Sequence, residues 1–363
     1  MKRLVLALLL LSIGACGDSV DQFEEVEDLR VLAIRADPPE YLIPTDQAFA
    51  PESLEFQVSF DALVVNPRGE PLDVEWQFCP VESDDACRDY EAERDRTPEF
   101  RDDLDAMRAI GQSESGVERI QGGPRQDVPP YAITPFVVEV PSTLAPYHLA
   151  DNFLGIGAGS LPSVQLRVTT ATDTILANKR FVLNVDDVSA LSDVFQEEFD
   201  FEVCSPDQDP ASGCVELDPA EQNTNPVFER LEIAFSDQAN APFAEIPRLP
   251  DGSFEPPRLA PFEQVRINPV FTEESSQKYQ LLQTNVDTQE IQVLNRQEEI
   301  SVAWFISGGA IQDELTWPPF TRTLDTVFEA PGGIPPGEQV SIWLIAQDQR
   351  GGSSWVQLEV IVE

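Results

Sequence analysis

Apolar and polar side chains alternate every second residue over much of the chain, and this period is typical of β-strands with one buried face. Phe56, Val58 and Phe60, for example, alternate with polar neighbours. This pattern predicts strands at residues 29–36, 55–65, 74–81, 132–140, 164–170, 175–185, 227–235, 263–271, 290–294, 300–306, 326–329, 339–347 and 355–362. We therefore expect a mainly β protein.

The C-terminal segment has the clearest alternation. Residues 339–347 and 355–362 both alternate, and Asp348-Gln349-Arg350-Gly351-Gly352 lies between them. A short connection that contains Asp and Gly is typical of two antiparallel neighbours. The two segments are therefore predicted to form a β-hairpin.

The best helical signal lies in an insertion at residues 87–130. Thr97 can cap a helix there, Pro98 suits its first position, and Glu99 favours its positive end. The apolar residues that follow fall on one helical face, namely Phe100, Leu104, Met107 and Ile110. We predict this helix, which ends at Gly111, and two shorter ones at 144–153 and 190–199.

Composition changes at residues 204–226, where prolines, polar residues and two cysteines interrupt the strand pattern. This segment is predicted to be a disulfide-bearing linker. It would join a β-sandwich domain at 29–203, which carries the helical insertions, to a second one at 227–363. The prolines at 242–261 predict an ordered but irregular surface loop, because proline cannot donate a ladder hydrogen bond.

Two strands share the order Val-x-Trp-x-apolar, and each is expected to place its tryptophan, Trp76 or Trp304, in a sandwich core. The final hairpin resembles that of bacterial immunoglobulin-like surface domains of the PKD or cadherin-like kind, which have a D-x-x-G-G turn. A tryptophan on the third strand is also common in that fold. Leu29–Glu40 resembles the first strand of uncharacterised myxobacterial surface lipoproteins. The resemblance implies two immunoglobulin-like β-sandwiches, while the insertions and the proline-rich stretch leave strand number and order open.

The first fifteen residues have the features of a secretory signal peptide: a positive start, an apolar run and small residues before a cut site. The apolar run, Leu4 to Leu11, is far shorter than the roughly 20 residues that span a bilayer.

Ile13-Gly14-Ala15-Cys16 resembles the lipobox of bacterial lipoproteins. The resemblance implies removal of residues 1–15, lipid on Cys16 and a membrane anchor, with an acidic tether at 16–28. Gly17, at the second mature position, favours the outer membrane by the sorting rule of enterobacterial lipoproteins. An ordinary secretory signal with a coincidental cysteine is the alternative.

The acidic residues outnumber the basic ones, 65 to 23, and the net charge is −42. Such a charge argues against nucleic acid or an anionic lipid surface as a partner. Dense acidic pairs occur at Asp84-Asp85, Asp102-Asp103 and Asp186-Asp187, but none matches an EF-hand or a cadherin linker. We therefore expect no cofactor, and calcium is the open alternative.

Lipid on Cys16 leaves four further cysteines. Cys79 and Cys87 are eight residues apart, and Cys204 and Cys214 are ten apart. In an oxidising compartment, near neighbours like these indicate two local disulfides. A four-cysteine zinc site is the alternative, although neither pair has the usual close spacing.

The sequence has one histidine, His148, and no nucleophile motif lies near it. We therefore do not expect an enzyme. The function expected is that of a lipid-anchored cell-envelope protein, a non-catalytic structural or interaction module with an unknown protein or glycan partner. A calcium-stiffened adhesin is one alternative, and a carboxylate-dependent glycan hydrolase is another.

Overall fold

The computed structural model describes residues 24–43, 56–79, 131–140, 163–180, 182–185, 204, 221–235, 241–284 and 291–363, and every structural statement below refers to these residues. They form a mainly β protein, as the alternation predicts. The predicted signal peptide, Cys16 and the three predicted helices lie outside the described residues, so the helical insertions stay a prediction.

The strands before residue 186 form what we call the first module. They are β1 (Arg30–Asp37), β2 (Glu40–Ile43), β3 (Phe56–Val65), β4 (Asp73–Cys79), β5 (Tyr131–Val140), β6 (Ser163–Thr169), β7 (Thr174–Arg180) and β8 (Val182–Val185). One antiparallel sheet has the order β1-β3-β5 and another the order β4-β6-β7. The short strands β2 and β8 pair in parallel.

Trp76 of β4 is buried, at 2 % exposure, as its position in the alternation predicts. Its ring stacks on Phe136 of β5, with centroids 5.4 Å apart, and lies 6.4 Å from Phe60 of β3. Because these residues come from two different sheets, the aromatic contact forms a core between the sheets of the first module.

The strands after residue 227 form the second module. They are β9 (Phe228–Ala234), β10 (Ala244–Glu245), β11 (Arg258–Leu259), β12 (Gln264–Phe271), β13 (Lys278–Thr284), β14 (Ile291–Gln297), β15 (Ser301–Ile306), β16 (Ala310–Ile311), β17 (Leu315–Thr316), β18 (Thr326–Glu329), β19 (Gln339–Gln347) and β20 (Ser353–Val362). A 3-10 turn at Glu273–Ser275 and a one-turn helix α1 at Pro318–Thr321 connect some of them.

Two five-stranded sheets enclose the core of the second module. Their orders are β10-β9-β12-β18-β16 and β11-β20-β19-β15-β17, and β13 and β14 form a separate two-stranded ribbon. The predicted hairpin is confirmed, because β19 and β20 pair from Gln339↔Ile361 to Gln347↔Ser353. Trp304 of β15 is fully buried, and its Nε1 donates to Thr316 Oγ1 at 3.0 Å.

Strand β19 is buried on both faces, since every residue from Val340 to Ala346 is buried. Alternate residues of that run belong to the core of the second module, whereas Trp343 and Ile345 pack against Leu63 and Val65 of β3. The outer face of this sheet is therefore the surface on which the first module packs.

The segment before β1 also contacts the second module. The Val26 N–H donates to the Ile306 carbonyl at 2.8 Å, and the Ile306 N–H donates to the Glu24 carbonyl at 2.9 Å. Val26 is only 2 % exposed and joins the same apolar cluster as Trp343. Residues 24–26, which the sequence assigns to the tether, are therefore packed on the second module, whereas Asp28 is exposed and pairs with Arg68 of the first module.

The proline-rich stretch includes strands β10 and β11, and it contributes Ile246, Phe254 and Leu259 to the core. Most of the stretch is exposed and lies outside strands, as predicted, but the prediction of an irregular surface loop is wrong for β10, β11 and the three buried residues. Proline lacks the donor but keeps the acceptor. The Pro257 carbonyl accepts a hydrogen bond from the Ile361 N–H at 2.9 Å, so the stretch can join the sheet beside β20.

Candidate functional site at the junction of the modules

A groove with a volume of about 710 Å³ lies where the two modules meet. It is lined by the end of β1 with Arg35, by the connection at residues 222–228, by Arg248 and by the start of β20 at residues 354–356. Its size lies within the range of about 300–1,000 Å³ that ligand pockets occupy. We call it the intermodule groove.

Arg35 links the two modules across the groove. It lies opposite Asp61 in the β1–β3 register, and its Nη2 donates to Asp61 Oδ2 at 2.6 Å. Its guanidinium lies over the ring of Trp355 of β20, 5.0 Å from the centroid. The Arg35–Asp61 pair is partly exposed and adds little stability by itself. The pair and the cation–π contact together orient the guanidinium at the groove.

Hydrogen bonds from the connection and from β20 hold β1 beside them. Asn225 Nδ2 donates to the Ala36 carbonyl at 2.8 Å, and Asn225 Oδ1 accepts from the Ser353 N–H at 2.8 Å. The hydroxyl of Ser353 donates to the Ile34 carbonyl, also at 2.8 Å. These bonds satisfy carbonyls of β1 on the side away from β3, and they close one end of the groove.

Arg248 lies on the opposite rim. Its guanidinium donates to the carbonyls of Gly252 at 3.3 Å and Phe228 at 3.1 Å, and it lies 4.5 Å from the centroid of the Phe254 ring. Neutral carbonyls orient a guanidinium without neutralising it. Among the described residues no carboxylate forms an ion pair with Arg248, so its charge is available to a ligand.

Several buried polar atoms at this junction lack a hydrogen-bond partner. Seven buried side-chain atoms of the described residues have none, and three belong to groove residues: Arg35 Nε, Asn223 Oδ1 and Ser354 Oγ. An unpartnered buried polar atom costs about 1–3 kcal/mol and calls for an explanation. The three atoms include a donor, an acceptor and a hydroxyl that can do either.

Beneath the groove lies a buried ionic cluster that we call the Arg350 network. Arg350, in the β19–β20 turn, bonds to Glu40 of β2 and donates to Glu298 Oε1 at 3.3 Å. The Glu40 and Glu298 side chains are 5 % and 1 % exposed. Asn223 donates its backbone N–H to Glu40 Oε2 at 3.1 Å and its Nδ2 to Asp348 Oδ2 at 3.3 Å. The network therefore ties the first module, the connection and the second module together.

Burial shifts the titration of groups around Arg350. Burial raises the pKa of the Glu298 carboxyl, and the nearby Asp348 charge acts in the same direction. Burial likewise raises the pKa of the Tyr279 hydroxyl, whose ring lies 5.3 Å from the Arg350 guanidinium.

Lys179 of β7 is a second buried cation at the junction. Its Nζ donates to the Gly351 carbonyl at 2.6 Å. Burial lowers the pKa of Lys179 from 10.5 to about 8, although the charge of Asp348 opposes this shift. The β19–β20 turn is thus held from both modules by charged groups.

Neither Cys79 nor Cys204, the two sequence-predicted site residues that the structure describes, lines this groove. Cys79 is the last residue of β4 and Cys204 is buried, whereas Cys16, Cys87 and Cys214 lie outside the described residues. The lipid on Cys16 and both disulfides therefore stay predictions. The acidic pairs at 84–85, 102–103 and 186–187, with His148, also lie outside the described residues.

The groove residues themselves were not singled out from the sequence. Trp355 carries the best local signal, because the alternation places it on the outer face of its strand with Gln357 and Glu359. A tryptophan on a strand face whose other residues are polar, and which is therefore expected to face solvent, indicates a contact surface. Arg35 and Asn223 have no comparable signal, since each acquires its role from residues that are distant in the chain.

Fold and groove together define a mainly β protein of two packed modules with a recessed site at their junction. No protein-family model matches the chain, and no curated protein sequence matches it. In the part of the chain that the structure describes, no helix is long and apolar enough to cross a membrane. Nor does that part contain a cluster of three or more His, Cys, Asp or Glu side chains suited to a metal ion.

Comparison with solved structures yields only distant similarities. A nucleoside hydrolase-related hypothetical protein from Saccharophagus degradans is 11 % identical, with a TM-score of 0.22, over 39 % of this chain and 26 % of that one. Extracellular domains 3–5 of Drosophila OTK are 8 % identical over 93 % and 98 % of the two chains, with a TM-score of 0.17. Purple acid phosphatase PPD1 from yellow lupin is 9 % identical over 90 % and 40 %, with a TM-score of 0.15. The chain spans about a quarter of the first of these proteins, and at such scores none bears on function.

Proposed function

We propose that this chain is a lipid-anchored protein of the bacterial cell envelope, held at the outer membrane by lipid on Cys16, and that it acts as a non-catalytic interaction module. The observation that carries the proposal is the intermodule groove. Two β modules pack against each other, and their junction is recessed, lined by arginines and a tryptophan, and contains polar atoms without partners. A protein or glycan partner would bind there.

The strand order supports an immunoglobulin-like identity for both modules, with helical insertions in the first. That fold places its first, second, fourth and fifth strands in one sheet and its third, sixth and seventh in the other. The orders β1-β3-β5 and β4-β6-β7 fit this scheme when β2 is counted as an addition to the first strand and the fourth strand of the fold has no counterpart among the described residues. In each module, moreover, a short early strand pairs in parallel with a late one, β2 with β8 and β11 with β20.

The packing of residues 24–26 supports a short attachment to the membrane. Glu24 comes eight positions after Cys16, and extended chain spans at most about 3.5 Å per residue, which gives roughly 28 Å. Lipid on Cys16 would therefore keep the Ile306 end of the second module close to the bilayer. The charge of −42 makes a covalent lipid the suitable anchor, since anionic headgroups repel an acidic surface.

The intact mass of the protein extracted from membranes tests the anchor. We expect a chain that begins at Cys16 and carries acyl groups, with the mass of four oxidised cysteines. The matched Cys16→Ser variant should lose the acyl mass and leave the membrane fraction. A wild-type chain that is processed but not acylated would support the ordinary secretory signal instead.

The non-catalytic role has a separate test. The purified protein is incubated with a broad panel of glycoside, ester, peptide and phosphate substrates, with a heat-treated sample as the control. We expect no turnover above that control. Turnover that follows the protein through purification would contradict the proposal.

A further inference from the structure

We propose that the intermodule groove binds an extended peptide segment that bears a carboxylate, and that the segment pairs as an added strand with the edge of β20. The inference rests on the proposed function and deepens it, because it names the partner class of an interaction module. Two observations support this inference: the direction of the main-chain N–H and C=O groups along β20, and the charges of the side chains at the groove.

Among the described residues, the strand beside the outer edge of β20 is β11, which covers its C-terminal end alone. Strand β20 pairs with β19 over its full length, but β11 reaches only Ile361 and Val362. On this outer side, the Ile361 N–H donates to the Pro257 carbonyl and the Ser353 N–H donates to Asn225 Oδ1. Successive residues of a strand point their N–H and C=O groups to opposite sides. The odd-numbered residues of β20 therefore point theirs away from β19.

This direction leaves the middle of β20 open for pairing. Trp355 and Gln357 must direct their N–H and C=O groups to the outer side, and no described residue hydrogen-bonds to those groups. Trp355 also lines the groove. An open strand edge is a template for another strand, and peptides bind in this way to many sheet proteins. The groove thus combines space for a ligand with a row of main-chain donors and acceptors.

The unpartnered side-chain atoms suit the same kind of ligand. These three atoms are buried, so a ligand bonds to them only after their side chains turn toward the groove; Asn223 Oδ1 can then accept from an N–H, Arg35 Nε can donate to a C=O, and Ser354 Oγ can do either. A peptide main chain offers both kinds of group at every residue. At a rise of about 3.3 Å per residue, the edge on either side of Trp355 has room for roughly four ligand residues.

The charges at the groove select the ligand side chain. Arg35 and Arg248 line it, and Asp37 is the acidic residue among the lining residues. Arg35 is already paired with Asp61, whereas Arg248 has no carboxylate partner among the described residues. In a chain of net charge −42, Arg248 is therefore the local site for a ligand carboxylate. Arg35 covers a face of Trp355, which makes that ring unsuited to stacking on a sugar. For this reason we favour a peptide over a glycan.

Selection from a display library of short random peptides on the immobilised full chain, followed by titration of the enriched peptides, tests the proposal. We expect peptides that contain Asp or Glu and bind saturably in the micromolar range. Methylation of alternate backbone nitrogens of the peptide should abolish binding, because the ladder bonds are lost. Bound peptide should also slow hydrogen exchange at the amides of Trp355 and Gln357 by about tenfold or more.

Arg248→Gln should weaken binding of the acidic peptides by about tenfold or more. Arg258→Gln is the matched control, since that exposed arginine lies at the other end of β20 and pairs with Glu363 at 3.3 Å. Binding that is unchanged by backbone methylation and by Arg248→Gln would overturn the proposal. A library that yields no saturable binder would also overturn it. The same holds if oligogalacturonate, an acidic oligosaccharide, binds in the groove and peptides do not. None of these results affects the mass of the lipidated chain or the substrate panel, so a failure here is distinguishable from a failure of the proposed function.

Discussion

Replacing Arg350 with methionine removes the cation that lies between Glu40 and Glu298. Both carboxylates are almost fully buried, with side chains 5 % and 1 % exposed, so neither can turn to water without opening the junction of the modules. Removing one partner of a buried ion pair costs about 3–5 kcal/mol, because the other charge stays desolvated. We therefore expect Arg350→Met to lower the free energy of unfolding by about 4 kcal/mol.

Urea unfolding of the mature chain, followed by tryptophan fluorescence, measures this loss. Arg258→Met is the matched control, because its pair with Glu363 is exposed at the surface and should contribute no more than about 1 kcal/mol. Adding Glu40→Gln and Glu298→Gln to Arg350→Met should restore part of the stability, since no charge is then left buried.

Two results would refute this reasoning. If Arg350→Met cost no more than Arg258→Met, the carboxylates would have to be solvated in the folded protein. If the two glutamine replacements restored nothing, the cost would arise from lost packing against Tyr279, not from buried charge. The combined variants therefore separate the electrostatic contribution from the packing contribution.

Three further predictions concern other parts of the junction and core. The pKa of Lys179 is about 8 in the folded protein and 10.5 ordinarily, so between these pH values the unfolded chain binds more protons than the folded one. The free energy of unfolding should therefore rise with pH across that window, by at most about 3 kcal/mol. Lys179→Met should remove this rise when urea unfolding is repeated at several pH values. Thr316→Val leaves the buried Trp304 indole N–H unpartnered and should cost about 1–3 kcal/mol in the same assay, whereas Thr316→Ser should cost less. Val26→Asp buries a charge beside Ile306 and should speed proteolysis of the N-terminal segment. Val26→Ala should speed it less. Equal proteolysis rates for the two variants would contradict the packing of that segment.

Sequence alone predicted the strands in which alternation is strong. The predicted bounds of the hairpin strand at 339–347 match β19, and those at 326–329 match β18. Strand β13 was missed, because its run Lys278–Thr284 is mostly polar and its partner β14 forms only a two-stranded ribbon with it. Strand β11 was missed because its neighbouring prolines suggested a loop.

The burial of the outer face of β19 could not be predicted from alternation. Ser341, Trp343 and Ile345 occupy the face opposite the core, and a single strand does not reveal what covers that face. Two aromatic or aliphatic residues there are compatible with solvent, with a partner protein or with another part of the chain. Only the docking of β1 and β3 decides that the first module covers it.

What the sequence by itself determined is local: which segments are strands, where the final hairpin turns, and which tryptophans enter the cores. These features depend on a two-residue period and on turn residues that act over a few neighbours. The tertiary structure decided the groove and the Arg350 network, whose members lie at 35, 40, 223, 248, 298 and 350. Their contacts depend on how two modules pack, and the free energy of that packing is set by residues that are far apart in the chain.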